Sequence, residues 1–106
     1  MTDAVVIICT FPDQDSATRC ADALVEAGLA ACAQVQGPIR STFRWQGTVD
    51  HATEWYCQLK TSRSRYPAAE EHIRAHHPYE VPEIIALPVI AGNPAYLRWV
   101  EASVTE

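Results

Sequence analysis

Apolar and polar positions change their period several times along the chain, and each change marks an element. Val5-Val6-Ile7-Ile8-Cys9 is a short, continuous, β-branched apolar run, the pattern of a strand covered on both faces. After Thr10-Phe11-Pro12-Asp13 the spacing becomes helical. Ala17, Cys20, Ala21, Leu24 and Val25 recur every three or four residues, Asp13 or Asp15 caps the start, and Gly28 ends the run. Leu29 to Val35 is small and apolar, and Gly37-Pro38 bends the chain. Ser41–Trp45 and Glu54–Thr61 then alternate with period two. They predict a long antiparallel hairpin with Gln46-Gly47 near its tip and Thr48 to Thr53 as the connection. Ser64 and Pro67 open a second helix whose inner face carries Ala69, His72, Ile73 and His76, and Pro78 stops it. Glu83 to Val89 reads as an apolar strand, with Pro88 placing it at an edge. Asn93 and Pro94 start a last helix with Tyr96, Trp99, Val100 and Ser103 as its inner stripe.

The order is β-α-β-β-α-β with an extra C-terminal helix. It predicts an α+β, ferredoxin-like domain over residues 1–106, an antiparallel four-stranded sheet with two helices on one face. The other face then needs a cover. The hairpin holds too many tryptophans and tyrosines for an open surface, which predicts a subunit interface there.

Composition narrows the function more than the fold. At 106 residues the chain fits one domain, and 48% hydrophobic residues allow a real core. Eight basic against thirteen acidic residues give a net charge of −5. That argues against nucleic acid and against anionic membrane surfaces as partners. The opening MTDAVVIICTF lacks the basic segment of a signal peptide, and no run approaches a bilayer span. The expected location is the cytoplasm, where Cys9, Cys20, Cys32 and Cys57 would stay reduced and mostly packed, Cys20 and Cys32 in the core.

The stretch HHPYEVPE, residues 76–83, is the main candidate for chemistry. Imidazole nitrogen suits copper, zinc or nickel, and a thiolate suits Cu(I) or zinc. At a helix end running into a proline turn, His76 and His77 can aim toward one region, and Cys9 at a strand end can approach it. The competing reading makes both histidines a polar helix end, favourable to the helix dipole. A Cys–His nucleophile pair lacks a third orienting group. Glu54 and Glu83 read as ordinary carboxylates, His51 as an exposed loop residue, and Lys60 with Arg63 and Arg65 as a small anion-attracting cluster without a glycine-rich phosphate loop.

Six segments taken together, CTFPD at 9–13, LAACAQV at 29–35, FRWQG at 43–47, EWYCQLKT at 54–61, HHPYEVPEIIALPV at 76–89 and YLRWV at 96–100, resemble the CutA-type divalent-cation tolerance proteins. The resemblance runs from about Val5 to Ser103. It implies a ferredoxin-like fold assembled as a homotrimer, and a role in cellular tolerance of copper and other divalent cations. It further implies copper ligands at Cys9, His76 and His77. An enzyme is not expected, because Asn93 is taken up as a helix cap and no phosphate loop precedes a helix. Gln36-Gly37-Pro38 departs from the Ile-Pro-Gly turn usual in the family, so that bend is open to rearrangement. A second function stands beside this one. The fold and trimer look similar to PII-type signalling proteins, which would make the chain a regulatory module holding a small ligand in inter-subunit clefts lined by Trp45, Lys60, Tyr79 and Glu83. The chain has no long mobile loop to match such proteins.

Overall fold

The computed structural model describes residues 2–105. The elements are β1 (Ala4–Phe11), α1 (Gln14–Glu26), β2 (Cys32–Trp45), β3 (Thr48–Ser62), α2 (Tyr66–His76), β4 (Ile84–Pro88) and α3 (Pro94–Ser103). The strands form one sheet in the order β2-β3-β1-β4, with every neighbouring pair antiparallel. The α+β, ferredoxin-like arrangement expected from the sequence is the one observed.

Each helix boundary has a local cause. The Asp13 side chain accepts the Ser16 amide at 2.7 Å and starts α1. Gly28, at φ 73°, turns the chain away after the C-cap, and the Leu29 amide returns to the Leu24 carbonyl at 2.9 Å. Asn93 caps α3 by accepting the Ala95 amide at 3.1 Å, with Pro94 in the first turn. α2 differs from expectation. Its N-cap is Arg65, and Ser64 makes no cap; its hydroxyl instead pairs with Ser62, whose own oxygen accepts the Arg65 amide.

The hairpin is longer and tighter than the alternation suggested. Residues 48–53 are strand, not connection, and the turn is only Gln46-Gly47, both at positive φ (50° and 82°). A two-residue turn of that hand matches the strand twist, so the alternation continues to the tip. β2 also runs through Gly37-Pro38 instead of ending there. The Gly37–Pro38 peptide is cis, and pairing shifts register between Gln36 and Ile39. Gly37 is required by crowding, since a Cβ there would lie 2.5 Å from the Trp55 ring. β1 pairs β3 only from Trp55 to Ser62, so the rest of the ribbon projects past the four-stranded body.

The main core lies between the sheet and the pair α1 and α2. Ile7, Cys9 and Phe11 of β1 meet Cys57 and Leu59 of β3, with Ala17, Ala21 and Leu24 from α1 and Ala69 and Ile73 from α2. A smaller cluster of Ala4, Ala31, Val100 and Val104 seats α3 at the other end. Here the expected inner stripe of α3 is corrected. Val100, Val104 and the half-buried Leu97 face inward, whereas Tyr96 and Trp99 are 40% and 47% exposed. Cys32 is likewise not a core residue. Its strand parity puts it on the opposite face from Cys9, half-buried, with its sulfur 3.3 Å from the Tyr96 hydroxyl.

Candidate metal centre

The HHP corner is tied to the end of β1. α2 stops at His76 because His77 takes an extended conformation (φ −82°, ψ 139°) ahead of Pro78. The His77 ring stacks on Phe11 at 4.4 Å between centroids, and its Nε2 lies 2.7 Å from the Thr10 carbonyl oxygen. Its Nδ1 accepts the Tyr79 amide at 3.0 Å. An amide can only donate, so the ring proton sits on Nε2 and is given to Thr10. Both nitrogens of His77 are thus engaged with backbone. His76 is exposed, stacks on His72 at 4.5 Å, and directs Nδ1 at the His72 carbonyl at 2.9 Å. Its Nε2 has no protein partner among the described residues.

Cys9 is fully buried on the helix-covered face, and among the described residues no hydrogen bond joins it to His76 or His77. It meets Cys57, its register partner on β3, and Cys20, which α1 lowers onto the sheet. The three sulfurs all lie within 4.8 Å of one another, and this is the cluster of soft donors found among the described residues. The Cys9 thiol points toward the Cys57 carbonyl at 3.5 Å. The hydrogen bonds are shared unequally. Those from Cys57 and Cys9 pull the Cys20 thiol well below its ordinary range against the effect of burial, with His72 and His77 adding in the same direction. Cys9 and Cys57 are pushed up, Cys57 to about 12, first by hydrogen bonding to Cys20. The sequence offered the cluster only through strand parity. Cys9 and Cys57 sit on one face because of the register, and Cys20 joins the inner stripe of α1.

Three of the four residues expected at inter-subunit clefts lie along one groove within the single chain. A groove of about 860 Å³ runs between the projecting ribbon and the turn from α2 to β4, and Trp45, Tyr79 and Glu83 line it with Thr10, Glu54 and Tyr56. The Tyr79 hydroxyl donates to the buried Glu54 carboxylate at 2.9 Å. Burial and that carboxylate push the phenol up to about 12. Lys60 is elsewhere. Register places it opposite Val6 and Cys32, toward the other end of the sheet, where its amine donates to the Gln34 side chain.

Known proteins agree with this architecture. A sequence family described as CutA1 divalent ion tolerance protein matches residues 5–103. The divalent-cation tolerance protein CutA of Pectobacterium atrosepticum is 40% identical over 97% of this chain and 94% of its own length. The crystallised divalent cation tolerance protein from Thermus thermophilus superposes with a TM-score of 0.94 at 39% identity, covering 96% of this chain and 99% of that one. An Archaeoglobus fulgidus structure described as the periplasmic divalent cation tolerance protein CutA superposes at 0.92 with 33% identity, covering 96% and 99%. These comparisons lend no support to a PII-type module. No helix among the described residues is long and apolar enough to cross a membrane. The chain belongs to the CutA family of divalent-ion tolerance proteins.

Proposed function

We propose that this protein contributes to divalent-cation tolerance by binding the metal ion itself, copper foremost, as a homotrimer in the cytoplasm, and that Cys9, His76 and His77 form the site. One observation carries the reading. His77 is bonded to the carbonyl of Thr10, the residue after Cys9, so the histidine corner sits on the strand that carries the thiol. The exposed Nε2 of His76 is a ready first donor. For His77 to ligate, an ion must replace either the Thr10 carbonyl or the Tyr79 amide as its partner, which makes binding and rearrangement of the corner one event. Imidazole and thiolate together favour copper over hard cations such as magnesium. The homotrimer is supported by apolar side chains left at the surface. Ile85 and Leu87 sit on the sheet face away from α1 and α2, Tyr96 and Trp99 on α3, and Phe43 and Trp45 on the ribbon.

An anaerobic titration of the reduced protein with Cu(I), Cu(II) and Zn(II), beside a His76→Ala/His77→Ala variant, tests the site. Binding near one ion per chain that is lost in the folded variant supports it. Binding that ignores the substitution, or affinity unchanged between pH 7.5 and 5.5 where protons compete for imidazole, removes it. Light scattering at micromolar concentration tests the trimer.

A further inference from the structure

The thiols of Cys9, Cys20 and Cys57 form a pocket of donors that the histidine site does not use beyond Cys9. Two are held by the sheet. Cys9 and Cys57 are register partners on β1 and β3, fully buried, with their side chains on the helix-covered face. The third comes from α1, whose inner stripe of Ser16, Ala17, Ala21 and Leu24 seats the helix so that Cys20 stands over the pair. Three backbones in two layers thus direct their sulfurs to one point, all within 4.8 Å of one another. A trigonal site with metal–sulfur bonds of about 2.3 Å holds its sulfurs about 4 Å apart. Rotamer adjustments of less than about 1 Å per sulfur close the difference.

The geometry points to a second, all-sulfur site in which Cys9, Cys20 and Cys57 bind one Cu(I) ion. It rests on the reading above that the protein binds copper, and gives Cu(I) an interior site of its own besides the histidine corner, whose imidazoles suit Cu(II) and zinc. Soft thiolates select a soft monovalent ion, and among the described residues no carboxylate joins the three sulfurs to favour a harder divalent one. Cys20 is only half-buried and is the point of entry. Each sulfur enters the coordination sphere as a thiolate and gives up to solvent any proton it still carries, and the copper oxidation state is unchanged. A complex of one Cu(I) and three thiolates is anionic, and burying it calls for a nearby donor. His72 supplies a second observation here. Its Nδ1 is buried without a hydrogen-bond partner, and the ring is close enough to Cys20 to act on it electrostatically. A buried ring nitrogen without a partner beside the thiol cluster is a polar group that a bound metal–thiolate complex can satisfy.

The test is an anaerobic Cu(I) titration against a competing chelator, with X-ray absorption to read the ligand shell. The proteins are the unsubstituted chain, Cys20→Ser, Cys57→Ser, Cys32→Ser and His76→Ala/His77→Ala. The expected result is one Cu(I) per chain with a sulfur-only shell. Affinity should fall at least about 100-fold in Cys20→Ser and Cys57→Ser and stay unchanged in Cys32→Ser. Cys20→Ser keeps the test decisive if Cys57→Ser fails to fold, since position 20 is only half-buried. Unchanged affinity in Cys20→Ser, or a shell containing nitrogen, overturns the all-sulfur site. Loss in the histidine variant alone would do so too while sustaining the histidine site. Loss in the cysteine variants alone, with a sulfur-only shell, supports the inner site as the seat of Cu(I). No Cu(I) binding by the unsubstituted chain removes the inner site.

Discussion

His77 donates its Nε2 proton to the Thr10 carbonyl while its Nδ1 accepts the Tyr79 amide, so a single ring joins the end of β1 to the turn that leads into β4. The stacking on Phe11 holds the ring in plane for both bonds. His77→Phe keeps the stack and deletes both hydrogen bonds, leaving the buried Thr10 without its partner. We expect a loss of about 1–2 kcal/mol, read from urea unfolding of the metal-free protein. A midpoint within error of the unsubstituted chain would mean that water replaces the ring.

Tyr79 and Glu54 form the second fixed pair of this corner. Tyr79→Phe strips the Glu54 carboxylate of a donor inside a buried site and should cost about 1–2 kcal/mol. The pair also has an alkaline signature. Its phenol is raised from 10.0 to about 12, so the neutral phenol is favoured by folding. That contribution is fully present below pH 10 and is lost as pH rises toward 12. Unfolding measured across that interval should fall less steeply in Tyr79→Phe, and parallel slopes would refute the link.

Gly37 and Trp55 test the bend. An added Cβ would lie 2.5 Å from the indole, so Gly37→Ala should cost about 1–3 kcal/mol through overpacking. The cost should shrink in the background Trp55→Leu, where the ring is absent. A double-mutant cycle with no coupling would place the strain in the backbone instead.

The ribbon tip is open to improvement. Gln46 holds φ at 50°, a conformation that suits asparagine and glycine better. Gln46→Asn should raise stability by roughly 0.5 kcal/mol. A decrease would show that the Gln46 side chain makes contacts worth more than the strain.

Periodicity made the elements and their order legible because each helix and strand buries one side of itself. Cys9 and Ile7 could be placed in the core from the run around them, and Asn93 and Asp13 as caps from the residues that follow. The hairpin connection was misread because residues 48–53 are polar ribbon with both faces outside the main core, where alternation carries no burial signal. The thiol cluster was hidden for another reason. Cys20 and Cys57 are far apart in sequence from each other and from Cys9, and only sheet register and helix seating bring them together. Lys60 shows the same limit in reverse. It lies six residues from Glu54 on one strand, yet β3 is long enough to put the two at different ends of the sheet.

The strand order β2-β3-β1-β4 also sets a timetable for the chain as it is made. β2 and β3 meet across two residues, so the ribbon zips as soon as both are available. β1 can then dock on β3, but its other edge must wait for β4, whose register pairs Val5 with Pro88 and Cys9 with Ile84. Until those last residues emerge from the ribosome, the Val5-Val6-Ile7-Ile8 run lies along an unpaired edge, the kind of template that recruits strands from other chains. Five residues of β4 therefore act as the closing seam of the nascent sheet, and a chain cut just before Ile84 should be the form most prone to aggregate.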